Sequence, residues 1–156
     1  MSVAARTPDA TYSHTQHAPL GWILYLISAV LLVTAVFARH DPVGLSVTLS
    51  VGLLMALLGT SFSQLTIADL GDHLAITFGP LPLVHRSVRY SDIQAVESGR
   101  TSLLEGWGIH LSPRGGWIWN LWGRDCVIIR GQGFNLRLGT DDPEALAHFL
   151  RRRVVC

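Results

Sequence analysis

The sequence predicts a membrane α-helical hairpin followed by a mostly-β domain of about seven strands, a small sandwich or partly open barrel capped by one C-terminal helix. Three observations predict it. Two charge-free apolar runs, residues 20–38 and 43–62, lie four residues apart near the start of the 156-residue chain. From about residue 65 onward, apolar residues alternate with polar ones, the period of a strand with one buried face. After residue 142 the apolar spacing lengthens to that of an amphipathic helix.

Residues 1–19 are polar and without periodicity, and read as a mobile tail. As a helix, the run 20–38 would reach roughly 28 Å, close to the ~30 Å hydrocarbon core of a bilayer. Gly21, Ser28 and Thr34 are its only interruptions, and none carries charge. A charged residue at the centre of a span costs about 2.5–3.5 kcal/mol, so its absence is specific. Trp22 and Tyr25 stand near the start, where amphipathic rings favour the headgroup level. The run exceeds the usual apolar core of a secretory leader, residues 36–38 lack a small-x-small cleavage pattern, and a second run follows at once. An uncleaved anchor is expected.

The link Arg39-His40-Asp41-Pro42 pairs a turn-opening Asp with a Pro suited to a first helical turn. Four residues between two spans force an antiparallel hairpin, residues 20–64, with both chain ends on one side. The second run carries small residues at every fourth position: Gly44, Thr48, Gly52, Ala56 and Thr60. Such a stripe permits close backbone approach, first to the other helix and otherwise to a second copy or a larger membrane complex.

The remaining residues, 65–156, form the domain. Leu74, Ile76 and Phe78 alternate with polar or small neighbours, and Gly79-Pro80-Leu81-Pro82 ends that strand. Val84, Val88 and Tyr90 alternate next, with Arg86 breaking the buried set. Further strands fall around residues 93–97, 107–111, 117–122, 125–130 and 134–138, separated by Gly-rich links at 112–116 and 131–133. Asp142-Pro143-Glu144 then opens a helix over 142–154: Asp as N-cap, Pro first, Glu in the first turn. Leu146, Phe149, Leu150 and Val154 make its apolar stripe, and Arg151–Arg153 complement the dipole at its end.

Composition narrows the function. The net charge is +1, and no strong basic excess or motif marks a nucleic-acid partner. All twelve cationic residues are arginine, ten of them after residue 65, which points to a cytoplasmic domain. Cys126 and Cys156 form no C-x-x-C or other ligand spacing, so neither a disulfide framework nor a metal is expected. His85, His110 and His148 are isolated from any nucleophile in a catalytic frame. Asp141-Asp142 suits capping better than acid–base work, and Gly131-Gln132-Gly133 is too short for a dinucleotide loop. No enzyme and no cofactor is expected.

Order, length and four phrases resemble the bacterial pleckstrin-homology-like (PH-like) domains that follow a transmembrane hairpin. The phrases are Val88-Arg89-Tyr90-Ser91-Asp92-Ile93, Gly106-Trp107-Gly108-Ile109, Trp119-Asn120-Leu121-Trp122-Gly123, and Leu138-Gly139-Thr140-Asp141-Asp142-Pro143-Glu144 with the helix behind it. The likeness spans residues 65–153. It implies an integral protein of the bacterial inner membrane carrying a binding domain. Two surfaces stand out as candidates. Trp117, Trp119 and Trp122 suit a protein partner, self-association or the bilayer interface. Arg86, Arg89, Arg100 and Arg114 would meet anionic lipid headgroups if the fold brought them together. The expected function is a non-enzymatic membrane-anchored module for protein–protein interaction or self-association. Recognition of anionic headgroups and service as an accessory subunit of a membrane complex are the alternatives.

Overall fold

A computed structural model describes residues 11–102 and 106–154. Helices α1 (Leu20–Phe37) and α2 (Pro42–Ser61) are each long and apolar enough to cross a membrane, and a short 3-10 turn at Ala38–His40 joins them. Asp41 caps α2 by accepting the backbone N–H of Val43 at 3.1 Å, with Pro42 in the first turn. The helices pack along small residues. Ser28 donates to the Gly52 carbonyl at 2.8 Å, and the hydroxyls of Tyr25 and Thr60 meet at 2.9 Å.

The β domain consists of two antiparallel-rich sheets that do not close into a barrel. The first has the order β1-β2-β3-β4, built from Ser13–His17, Gln64–Asp69, His73–Phe78 and Val84–Arg89. The second has the order β5-β8-β9-β7-β6, from Ile93–Arg100, Gly108–Leu111 (β6), Trp117–Asn120 (β7), Asp125–Gly131 (β8) and Phe134–Gly139 (β9). Helix α3 (Pro143–Val154) follows, with Asp142 accepting the Ala145 N–H at 3.2 Å as the N-cap.

Two strands depart from the sequence reading. Residues 13–17, expected in a mobile tail, form β1 and pair with β2 from Ser13↔Ala68 to His17↔Gln64. Residues 1–10 of that tail lie outside the described set. β2 itself went unread, although Leu65 and Ile67 are its buried positions. The consequence is topological. The helical hairpin is an insertion between two neighbouring strands of one sheet, and its two ends are tied by the bond from Ala18 N–H to the Ser63 carbonyl at 3.1 Å.

The strands of the second sheet cross those of the first. β9 begins at Phe134, whose ring lies 5.8 Å from the guanidinium of Arg86 on β4, and leads to Asp141, hydrogen-bonded to His14 on β1. β7 runs the same way. Its Trp119 packs edge-on against Phe78 of β3, and the carbonyl of Trp122 just beyond it accepts from Gln16 of β1 at 3.1 Å. Between the sheets lie Leu65, Ile67, Leu74, Ile76, Phe78, Val127, Ile129, Leu136 and Leu138, all buried, together with Leu146 and Leu150 of α3. Burying such side chains gives about 1.5–3 kcal/mol each.

This crossing gives the domain two distinct ends. At one, next to the hairpin, Phe62 packs on Phe78 and Leu65 pairs with Phe78. At the other, beyond the β2–β3 turn, α3 seals the sandwich through Phe149 and Arg153.

Candidate functional site

The sequence-selected arginines do not converge. Arg100 lies 2.9 Å from Asp125 in an exposed ion pair. Arg89 ends β4 opposite His73, and Arg114 is exposed in the β6–β7 loop. Arg86 is different. Its position on β4 shares the inward parity of Val84 and Val88, so the break in the apolar alternation is a guanidinium turned toward the core. It stands 5.9 Å from the centroid of Trp119 and 5.8 Å from that of Phe134, a doubly stacked cation–π arrangement. Burial lowers its affinity for the proton from the ordinary value, yet an arginine so placed stays charged at neutral pH. Among the described residues no carboxylate pairs with it.

Arg86 forms one wall of an open groove of about 540 Å³, with Leu111, Gly116, Trp117, Phe134 and Asn135 among the others. The groove exists because β7 and β9 begin where the first sheet ends at its edge strand β4. Gly116 admits the close approach: with φ +87° it occupies a conformation favouring glycine, and a Cβ there would meet the Asn135 carbonyl at 2.3 Å. Among the described residues, neither the buried carboxamide oxygen of Asn135 nor the buried indole nitrogen of Trp119 finds a hydrogen-bond partner. A fixed cation between aromatic walls suits an anionic group attached to an apolar body.

The tryptophans separate likewise. Trp117 is exposed at the groove mouth, whereas Trp119 is buried in the core, so the surface expected to carry Trp119 does not. Both have the same parity on β7, but the strand extends past the first sheet, leaving Trp117 uncovered. Trp122 is half-buried and stacks on Trp107, their centroids 4.1 Å apart.

Of the helix stripe, Gly52 is buried against Leu31 and Leu32 of α1, and Thr48 is half-buried. Ala56 is also half-buried, while Gly44 lies against its own cap Asp41. Gly59, outside the four-residue spacing, is a second close contact: a Cβ there would meet the Tyr25 ring at 3.1 Å, as one on Gly52 would meet Leu32 at 3.0 Å. Its signal was the seven-residue interval from Gly52. Cys126 is buried, and Cys156 lies outside the described residues. Among the described residues no cluster of His, Cys, Asp or Glu could hold a metal.

No protein-family model and no curated protein matches this chain.

Proposed function

We propose that this chain is a two-span integral membrane protein whose β domain, PH-like in its order of strands and closing helix, is a non-enzymatic binding module working at the membrane surface. The observation that carries the reading is the insertion of the hairpin between β1 and β2. A domain that closes around its own anchor stands directly on the bilayer and meets its partners there. The groove beside β4 is its site, where Arg86 takes an acidic side chain or chain-terminal carboxylate and Trp117 packs on the adjoining apolar residue of a protein partner or a second copy. Gly52 is occupied by α1, which leaves an accessory-subunit role to other helix faces.

The bacterial inner membrane with a cytoplasmic domain remains the location we propose. A second reading, anionic headgroup recognition, draws on one observation. Arg86 lines the groove with Leu111, Trp117, Phe134 and Asn135, and no Asp or Glu is among its described lining residues.

A photoreactive residue in place of Trp117, in the full chain and in native membranes, tests both. The partner reading expects a protein adduct that Arg86→Gln reduces at least tenfold; absence of any protein adduct overturns it. Native mass spectrometry of the purified chain gives the other arm: anionic lipid retained by the native chain and lost in Arg86→Gln supports headgroup recognition.

A further inference from the structure

On the hairpin side, the second sheet ends in a strand against whose outer edge no described strand pairs. β6 pairs with β7 alone. It lies beyond β7, whose Trp119 already packs on Phe78 in the row next to the hairpin. Outside the two long helices, six large apolar side chains are exposed among the described residues: Leu70, Leu81, Leu83, Trp107, Leu111 and Trp117. Only Leu70, in the β2–β3 turn, belongs to the far end. The other five form a rim at the hairpin end, their exposure running from 42% for Trp117 to 63% for Leu111. A single exposed leucine needs no explanation, but five gathered at one end do.

Contacts fix the height of this rim. A Cβ on Gly79 would stand 2.8 Å from the Thr60 carbonyl oxygen and 2.9 Å from Ser61 Cα, so the link 79–83 touches the last turn of α2. Gly21, in the first turn of α1, lies against Ser63, and Trp22 beside it is exposed. β6 sits one strand spacing, about 4.8 Å, beyond β7 and so near the height of Ser63. Leu81 and Leu83 thus follow a residue seated on the last turn of α2, and the strand order puts Trp107 and Leu111 at the same end of the domain. The segments 79–83 and 106–123 that carry them contain no carboxylate.

We infer that this rim is the surface by which the domain rests on the bilayer, with its leucines and tryptophans at the boundary of headgroups and acyl chains. The inference rests on the reading of the hairpin as membrane-spanning and requires no ligand in the groove. The occupant is lipid because the rim is continuous with the helix ends, at the depth that tryptophan prefers. Seating the rim also orients the groove, since Leu111 and Trp117 belong to both.

The test uses the full chain in lipid nanodiscs. Cys156→Ser removes the terminal thiol, and Cys126 is fully buried and unreactive to label. Leu81→Cys, Leu111→Cys, Leu70→Cys and Ile27→Cys, introduced one at a time, are labelled with an environment-sensitive fluorophore and quenched by lipids carrying a nitroxide near the headgroup. Quenching at Leu81 and Leu111 should be at least twice that at Leu70, with Ile27 quenched as the spanning reference. Quenching at 81 and 111 equal to that at 70, with Ile27 still quenched, overturns the rim alone. Blue-shifted emission insensitive to the lipid quencher at those sites does the same in favour of protein cover. An unquenched Ile27 removes the spanning hairpin and the inference with it.

Discussion

The two ends of the β domain solve the same problem by opposite means. At the α3 end, Asp69 is buried and accepts the Tyr90 hydroxyl at 2.8 Å, the Gly71 N–H at 2.9 Å and Arg153 Nη2 at 2.6 Å. Arg153 lies over the rings of Tyr90 and Phe149, and Phe149 stacks on Tyr12 at 5.2 Å. Asp69 and Arg153, the buried carboxylate and its guanidinium, find each other inside the chain. At the hairpin end, Phe62, Phe78 and Trp119 pack in series and then the structure stops at exposed leucines and tryptophans. A polar network names its partners by geometry, while an apolar rim needs only surroundings drier than water. The α3 end is closed by the chain itself, and the hairpin end is left apolar and open.

Removing the buried carboxylate should break the comparison most severely. Asp69→Ala removes the buried carboxylate that Arg153, the Tyr90 hydroxyl and the Gly71 N–H share, and a buried pair broken this way costs about 3–5 kcal/mol. Chemical unfolding in nanodiscs should show that loss. Proteolysis should open the α3 end first while the native rim stays in place. A loss under about 1 kcal/mol would mean that the α3 end is held by its apolar contacts alone.

The junction between the ends comes next. Gly79 has φ +75° and faces the backbone of Thr60 and Ser61, neither of which can yield like a flexible side chain. Gly79→Ala should cost roughly 2 kcal/mol from the left-handed conformation and the backbone clash together. It should also lift the 79–83 link from α2, so lipid quenching at a label on Leu81 should fall. Unchanged quenching would show that the link finds its depth without this contact.

Acidity separates the two ends more gently. Burial pushes the Asp69 carboxyl up, but the bonds from Gly71, Tyr90 and Arg153 and the Arg153 charge outweigh it and hold it below the usual range. A carboxyl depressed in the folded state contributes stability above its unfolded value near 4, and that contribution disappears as pH falls through the folded value. In base, Tyr12 is pushed up to about 12, chiefly by burial and then by Asp142 and Asp141. Its contribution is intact below about 10 and lost as pH rises from about 10 to 12. Amide exchange against pH should therefore loosen the Tyr12–Phe149 region at both extremes, before β6 and β7 respond. Simultaneous loosening of both ends would place the titrating groups elsewhere.

Much of this contrast was readable from the chain, and the unread parts have physical causes. The two long apolar helices announced themselves because they hold no charge over a membrane-spanning length, and the Asp142-Pro143 start of α3 because capping is local. β1 was hidden: its one buried residue is Gln16, so Ser-His-Thr-Gln-His has no apolar period to detect. β2 carried a readable Leu65–Ile67 alternation that its place directly after an apolar helix obscured. Arg86 was visible as an interruption, but its meaning depends on Phe134 and Trp119 arriving from the other sheet. Parity placed Trp117 and Trp119 on one face; only the overlap of two crossing sheets decides that one is covered and the other bare.

The smallest expected effect on stability is the most informative about the hairpin end. Leu111→Ser removes an exposed side chain from an edge strand, and such a change should alter unfolding by no more than about 0.5 kcal/mol in detergent. In a bilayer the same substitution places a hydroxyl where a leucine met acyl carbons, so quenching at a label on Leu81 should weaken and exchange of the β6 amides should quicken. Leu70→Ser, matched in exposure but at the α3 end, should leave both readouts unchanged. Equal effects from the two serines would erase the distinction between the ends. An effect confined to Leu111, seen in lipid and absent in detergent, would show that the bilayer completes this face of the fold as α3 completes the other.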